Sequence, residues 1–71
     1  MKLKVWGTGQ HLMVNGKQHR VVVGAYSVKQ VAGIAKTSPY IVNTWWAKTG
    51  NPKEVETATR NPFTIIDMGA I

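Results

Sequence analysis

A chain of 71 residues without cysteine is long enough for one small domain, and it excludes disulfide bonds, zinc–thiolate sites and thiol chemistry. The formal net charge is +6, and residues 1–53 hold eight of the nine Lys and Arg residues but no Asp or Glu. Such a surface attracts anions, of which nucleic acid is the commonest large one, although a net charge also serves solubility.

No run of apolar residues suggests export or insertion into a membrane. The first residues include Lys2 and Lys4 and become polar within a few positions, unlike a signal peptide. No segment approaches the roughly 20 apolar residues of a membrane span. We therefore expect a cytoplasmic protein without a membrane partner.

The first third of the chain has the patterns of strands. Residues 2–6, KLKVW, alternate as in a half-buried strand, and the GTG that follows is expected to end it. Asn15-Gly16 then separates two apolar-rich runs. This pair predicts a two-residue hairpin turn between strands at about 10–14 and 17–24.

Two further apolar segments complete the expected sheet. The run VVV at 21–23 favours a central strand that is covered on both faces. The segment FTIID at 63–67 follows an Asn-Pro break and predicts a last strand. The sheet is therefore expected to be built from both ends of the chain.

Capping residues predict helices between these strands. Ser27 and Gln30 form a capping box, and apolar residues then recur at i, i+3, i+4 and i+7 along a helix at 28–35. Ser38 and Pro39 start a second helix, as the N-cap and as the first helical residue. The two helices are separated by only a short turn.

The remaining Gly and Asn-Pro signals bound two helices and indicate the fold class. The second helix is expected to cover 39–48 and to end at Gly50 in a left-handed conformation. Asn-Pro pairs stand on both sides of a third helix, predicted at 52–60. Together these elements predict an α+β domain in which a small antiparallel sheet packs on three short helices.

The segment VKQVAGIAKTSPYIVNTWWA, residues 28–47, resembles the helix-turn-helix unit of small DNA-binding regulators. Small or apolar residues stand at the buried positions of that pattern: Val31, Ala32, Ala35, Val42 and Trp45. Lys36 replaces the glycine that is usual in the turn, and Thr37 replaces an apolar residue. The resemblance implies a second helix that enters a DNA groove, usually within a symmetric homodimer.

A wider run that includes TGNPKEVETATRNP, residues 49–62, looks like small proteins of bacteriophages and mobile elements. Those proteins carry no assigned function. The resemblance implies a protein that acts in the cytoplasm of a bacterial host.

The predicted second helix has separate apolar and polar sides. At about 100° per residue, the apolar residues Ile41, Val42, Trp45 and Trp46 fall within an arc of about 140°. Trp45 lies inside this arc and is expected to be buried. Trp46 lies at its margin, where it either packs or forms a contact surface.

The other side of this helix carries residues suited to a DNA groove. Asn43 can form paired hydrogen bonds with adenine, and Ala47 permits close approach. Tyr40 and Thr44 can contact a phosphate or a thymine methyl group. A merely solvated surface is the alternative, because any surface helix has a polar outer face.

Further residues are candidates for contacts with the DNA backbone. Free N–H groups near Ser38 predict a phosphate site, assisted by Lys36 and Lys48. The hairpin resembles in shape the β-ribbon wings that accompany some helix-turn-helix units, so Lys17 and Arg20 are expected to position the protein on DNA. An ordinary solvated hairpin is the alternative.

Metal binding and catalysis are not expected. A two-residue turn would pair His11 with Arg20 and His19 with Leu12, which places the two histidines on opposite faces of the hairpin. The three acidic residues are too few for a hydrolytic site, and no phosphate-binding fingerprint is present. We therefore expect no metal, no cofactor and no enzymatic activity.

The sequence thus predicts a small basic protein that binds double-stranded DNA, as a transcriptional regulator or an architectural factor of phage or mobile-element type. The helix at 39–48 would be the recognition helix. The alternative is a modulator that binds a host protein, with Trp46 and Tyr40 as anchors, since Trp and Tyr dominate the energetics of interfaces.

Overall fold

An antiparallel sheet of four strands lies at the centre of the protein, whose computed structural model describes residues 2–71. In chain order, the elements are β1 (Lys4–Val14), β2 (Lys17–Ala25), α1 (Val28–Ala35), α2 (Pro39–Trp45), β3 (Ala47–Lys48), α3 (Pro52–Arg60) and β4 (Ile66–Ala70). The strands lie side by side in the order β3-β1-β2-β4. The predicted α+β class, with three short helices on a small antiparallel sheet, is confirmed.

The hairpin between β1 and β2 forms at the predicted turn. Asn15 and Gly16 have φ angles of 51° and 79°, as a two-residue turn of this kind requires. From the turn outward, the pairs match the predicted register as far as Leu12 opposite His19. A register shift then follows between Leu12 and Thr8. The predicted pairing of His11 with Arg20 falls within this irregular segment.

The GTG segment does not end the first strand, contrary to the prediction. β1 continues through it, and Gly7 pairs with Val22 of β2. A Cβ atom on Gly7 would lie 2.6 Å from Nη2 of Arg20, so a larger residue here would have to displace the arginine side chain, which crosses the strand. One long strand therefore replaces the two short ones expected.

The valines of β2 are covered on both faces, as predicted for a central strand. Val21 and Val23 pack in a cluster with residues of α1 and α2. Val22 points to the opposite face and packs with Val5 and with Ala58 of α3. All three β2 valines have 0% exposure. The sheet thus separates α1 and α2 on one face from α3 on the other.

The helices α1 and α3 have the predicted bounds and caps. The Ser27 hydroxyl accepts a hydrogen bond from the Gln30 N–H, at 3.2 Å. The Gln30 side chain in turn accepts from the N–H of Tyr26, one residue before the usual partner in a capping box. Asn51 accepts two backbone N–H groups at the start of α3. The capping residues in the sequence were sufficient to predict both helices.

The second helix ends three residues earlier than predicted. Trp46 has φ −104° and ψ 149°, an extended conformation, and its N–H donates to the carbonyl of Val42. The chain then enters β3, whose two residues pair with Trp6 and Gly7 of β1. Gly50 lies beyond β3 and is not at positive φ, so it does not end the helix.

The last strand is displaced toward the C-terminus, from the predicted 63–67 to Ile66–Ala70. Phe63 instead lies in the turn after α3, at a φ of 64°, and its N–H donates to the carbonyl of Gly24. The first residues of the predicted strand therefore belong to this turn, and pairing with β2 begins only at Ile66.

Candidate nucleic-acid interface

The polar side of α2 is exposed, as the helical pattern predicts. Asn43 and Thr44 are exposed, and Tyr40 has 73% of its surface accessible. The Thr44 hydroxyl donates to the Tyr40 carbonyl at 2.8 Å, which turns its hydrogen toward the helix. Tyr40 and Asn43 therefore present the freest polar groups of this surface.

The turn before α2 brings Lys36 and Ser38 next to this surface. Lys36 is exposed and adopts a left-handed conformation, with φ 57° and ψ 46°, which a glycine would adopt at lower cost. The Ser38 hydroxyl accepts from the N–H of Ile41 at 3.3 Å. Because Pro39 has no N–H, only the Tyr40 N–H of the first three helical residues remains for an anion. The predicted phosphate site thus has fewer donors than expected.

Ala47 and Lys48 do not belong to the helix, which corrects their predicted placement. They form β3, where Ala47 pairs with Gly7 and Lys48 with Trp6. Since paired residues point to the same face, Lys48 lies on the face covered by α1 and α2, whereas Ala47 lies on the α3 face. Lys48 keeps an exposed position near α2, and Ala47 is separated from the face that carries Asn43.

The two adjacent tryptophans have different environments: the prediction for Trp45 is wrong, and Trp46, for which packing and contact were both left open, is a core residue. Trp45 is 53% exposed, although it was expected to be buried. Trp46 is 6% exposed and packs in the core, where its ring lies 5.5 Å from the His11 ring. The extended backbone at Trp46 rotates its side chain under α2 and toward the sheet, which a helical projection does not foresee.

Arg20 is engaged within the protein rather than extended toward a ligand. Its Nε and Nη2 atoms donate to the two carboxylate oxygens of Glu54 in α3, at 3.0 and 3.2 Å. The Thr49 hydroxyl also donates to Glu54, at 2.7 Å. The hydrogen bonds from Arg20, followed by those from Thr49, hold the pKa of Glu54 below its ordinary value against the effect of burial. Of the two predicted hairpin contacts, only Lys17 has a free and exposed side chain.

All three acidic side chains have cationic or potentially cationic partners. Besides Glu54, Glu56 accepts from Arg60 at 2.7 Å, and Asp67 lies 3.0 Å from Nδ1 of His19. The pKa of Asp67 is lowered, first by the Gly69 N–H and then by His19. His19 and His11 thus have separate partners.

Seven exposed lysines remain without a carboxylate partner in residues 2–71, after Arg20 and Arg60 are paired. They are Lys2, Lys4, Lys17, Lys29, Lys36, Lys48 and Lys53. The pairing of every acid therefore leaves the lysine charge uncompensated, and the surface is basic on both faces of the sheet.

A groove between α2 and the hairpin was missed by the sequence reasoning. It has two adjoining parts, of about 390 and 460 Å³, and both are lined by Gln10, Gln18 and Trp45. Ile41 completes the smaller part, and Thr44 and Ala47 line the larger. Three predicted site residues, Arg20, Thr44 and Ala47, thus meet in the larger part, although they lie on different elements. No motif marks it, because it depends on the register shift in β1 and on the early end of α2.

Comparisons with known proteins identify no relative of this chain. No family model matches it, and neither a curated protein nor a solved structure does so. Among residues 2–71, no group of three or more His, Asp or Glu side chains is placed to hold a metal ion. None of the helices in the same residues combines the length and apolar character needed to cross a bilayer.

Proposed function

We propose that this protein binds double-stranded DNA in the cytoplasm of a bacterial host, as a regulator of transcription or an architectural factor of phage or mobile-element type. The supporting observation is the set of seven exposed lysines that lack a carboxylate partner in residues 2–71. Neutralising phosphates with lysines releases counterions, which supplies most of the sequence-independent affinity for DNA.

In this proposal, α2 acts as the recognition helix of a helix-turn-helix unit. Asn43 contacts a base edge, with Tyr40 and Thr44 beside it. Lys36, before α2, and Lys48, after it, contact phosphates on either side. A symmetric homodimer would place two copies of α2 in successive turns of the major groove.

Fluorescence anisotropy with labelled duplexes tests this function. Affinity should fall by roughly 40-fold between roughly 50 and 200 mM salt if Lys17, Lys36 and Lys48 each contact one phosphate. Lys48→Ala should weaken binding to all sequences alike, whereas Asn43→Ala should reduce the preference for one sequence. Arg60→Ala is the matched control, because Arg60 is already paired with Glu56. Absence of duplex binding at roughly 50 mM salt would refute the proposal.

A second candidate function is the binding of a host protein, supported by two exposed aromatic residues on α2. Tyr40 and Trp45 are 73% and 53% exposed, and such residues commonly anchor interfaces. Trp46, the anchor expected from the sequence, is buried, so Trp45 takes its place in this proposal. A pull-down after nuclease treatment tests it: Trp45→Ala should lose one stoichiometric partner that Lys29→Ala retains.

A further inference from the structure

The groove beside Trp45 has no part in the DNA contacts proposed above. Its smaller part is lined by Gln10, Gln18, Ile41 and Trp45, and is hereafter the Trp45 groove. Its volume is about 390 Å³, and it is a shallow groove that is largely open to solvent. Trp45 is the exposed member of the tryptophans, since Trp6 and Trp46 are 5% and 6% exposed.

The chemistry of this groove matches a planar group with a polar edge. An indole ring provides a stacking surface for any base. The side-chain amides of Gln10 and Gln18 each offer donors and an acceptor, which suits the edge of a base. Ile41 adds an apolar wall. A nucleobase that has left the base stack has this combination of a flat face and a hydrogen-bonding edge.

The charge around the groove favours a polyanion over a neutral ligand. No Asp or Glu side chain lines either part of it. Lys17 directly precedes Gln18 in β2, and Lys48 directly follows Ala47 in β3, so each lysine is next to a lining residue in the chain, with its side chain on the other face of the strand. Both lysines lack a carboxylate partner in residues 2–71. The preference for a polyanion therefore rests on the net charge of +6 and on the lack of Asp and Glu side chains in the groove lining.

We infer that the Trp45 groove receives one unpaired nucleobase of a DNA duplex, stacked on Trp45 with its edge toward Gln10 and Gln18. This inference rests on the proposed function, because the duplex on either side of the base is held by the lysines. It adds a structural preference to DNA binding, namely for a duplex that contains an unpaired nucleotide.

Two duplexes of the same sequence test the inference, one fully paired and one with a single unpaired thymine. The unmodified protein should bind the second more tightly by between roughly 5-fold and 150-fold, the range for stacking of one base on an aromatic side chain. Trp45→Ala should bring the ratio of the two affinities close to one. Tyr26→Ala, which removes a 38% exposed aromatic residue outside the groove, should preserve the ratio.

Tryptophan fluorescence gives a second measurement. The duplex with the unpaired thymine should quench the emission of the unmodified protein, and Trp45→Phe should lose most of this quenching while keeping part of the affinity ratio. Circular dichroism checks that both variants remain folded. Trp45 is half exposed, so the fold is expected to tolerate them.

The outcomes separate the inference from the function on which it rests. Equal affinity for the two duplexes, or a ratio that Trp45→Ala leaves unchanged, overturns the base-binding groove but leaves DNA binding intact. Binding to the unpaired thymine alone, without affinity for the paired duplex, supports the groove and refutes the proposed duplex function. Loss of a protein partner in Trp45→Ala, with an unchanged ratio, assigns Trp45 to a protein interface and overturns the inference.

Discussion

The buried hydroxyl of Thr8 in β1 donates a 2.9 Å hydrogen bond to the main-chain carbonyl of Trp45, at the end of α2. Thr8 is 3% exposed and also accepts from the N–H of Gln10. This bond satisfies a carbonyl that the end of the helix leaves free, and it fixes α2 on the strand that lines the groove. The orientation of Trp45 therefore depends on a residue far from it in sequence.

Thr8→Val tests this attachment, since valine keeps the shape of threonine and removes the hydroxyl. We expect the free energy of unfolding to fall by about 1–3 kcal/mol, because the Trp45 carbonyl loses its partner in a largely buried place. Urea denaturation measures the change. Thr57→Val is the control: Thr57 donates to the Lys53 carbonyl on an exposed helix, so its loss should change stability by less than about 0.5 kcal/mol.

The two tryptophans should respond differently to truncation. Trp46→Ala removes a core side chain and should lower the free energy of unfolding by about 3–5 kcal/mol, a large share of a small domain's stability. Trp45→Ala removes a half-exposed ring and should cost about 1 kcal/mol or less. Thermal denaturation of both variants compares them. A greater loss for Trp45→Ala would show that the extended backbone at Trp46 is not the native arrangement.

Replacing Lys36 by glycine should raise stability and weaken DNA binding. Its left-handed conformation disfavours any side chain with a Cβ, so Lys36→Gly should raise the free energy of unfolding by roughly 1 kcal/mol. The same change removes a cation next to α2 and should reduce the salt dependence of DNA affinity by about one phosphate contact. Chemical denaturation and a salt titration measure the two effects.

Two further variants separate the effect of the Lys36 charge from the effect of its backbone conformation. Lys36→Asn also removes the charge but retains a residue that tolerates positive φ, so part of the gain in stability should persist. Lys29→Ala removes an exposed charge from α1 without a change of φ and should leave stability within about 0.5 kcal/mol. A loss of stability in Lys36→Gly would contradict the strained conformation.

The Arg20–Glu54 pair should make stability depend on pH. Because the pKa of Glu54 is lower in the folded protein than its ordinary value of 4.5, the stabilisation is complete above that pH and is lost as the pH falls through the lower folded-state pKa. Glu54→Gln should reduce the free energy of unfolding at pH 7 by about 1–3 kcal/mol, since it weakens a charged hydrogen-bonded pair.

The difference in the free energy of unfolding between the unmodified protein and Glu54→Gln should therefore shrink as the pH is lowered below 4.5. Urea denaturation at a series of pH values measures it. Glu56→Gln is the matched control, because Glu56 forms only an exposed ion pair within α3, worth a few tenths of a kcal/mol. A constant difference between the unmodified protein and Glu54→Gln would show that this carboxylate does not titrate with folding.

Local chemistry explains which elements the sequence was sufficient to predict. Ser27, Asn51 and the Asn15-Gly16 pair each satisfy or shape a few neighbouring backbone groups, so their effect does not depend on the rest of the fold. The helix bounds and the hairpin turn follow from them directly. The run VVV likewise requires cover on both faces wherever it lies.

The elements that the sequence did not predict depend on partners from distant parts of the chain. The end of α2 is decided by Thr8 and by the burial of Trp46, and neither is encoded near Gly50. β1 continues through Gly7 because this residue pairs with Val22 of β2 and with Ala47 of β3. Such tertiary contacts override helical periodicity and local turn signals.

The candidate site was predicted only in its helical part for the same reason. Tyr40, Asn43 and Thr44 lie within one helix, so their common exposure follows from its period. Arg20 was assigned to DNA because its partner Glu54 follows it by 34 residues. Gln10 and Gln18 were missed because the groove exists only once the hairpin and α2 have packed together.

The placement of β2 at the centre of the sheet has a consequence during synthesis on the ribosome. Val21, Val22 and Val23 emerge early, but their cover comes from α1 and α2, from α3 and, along one edge, from β4, which pairs with Val21 and Val22. Until residues 66–70 have left the exit tunnel, a nascent chain exposes a strongly aggregation-prone strand with an unpaired edge. Chaperones that bind short apolar segments are therefore expected to engage this protein between the emergence of β2 and that of β4 from the exit tunnel.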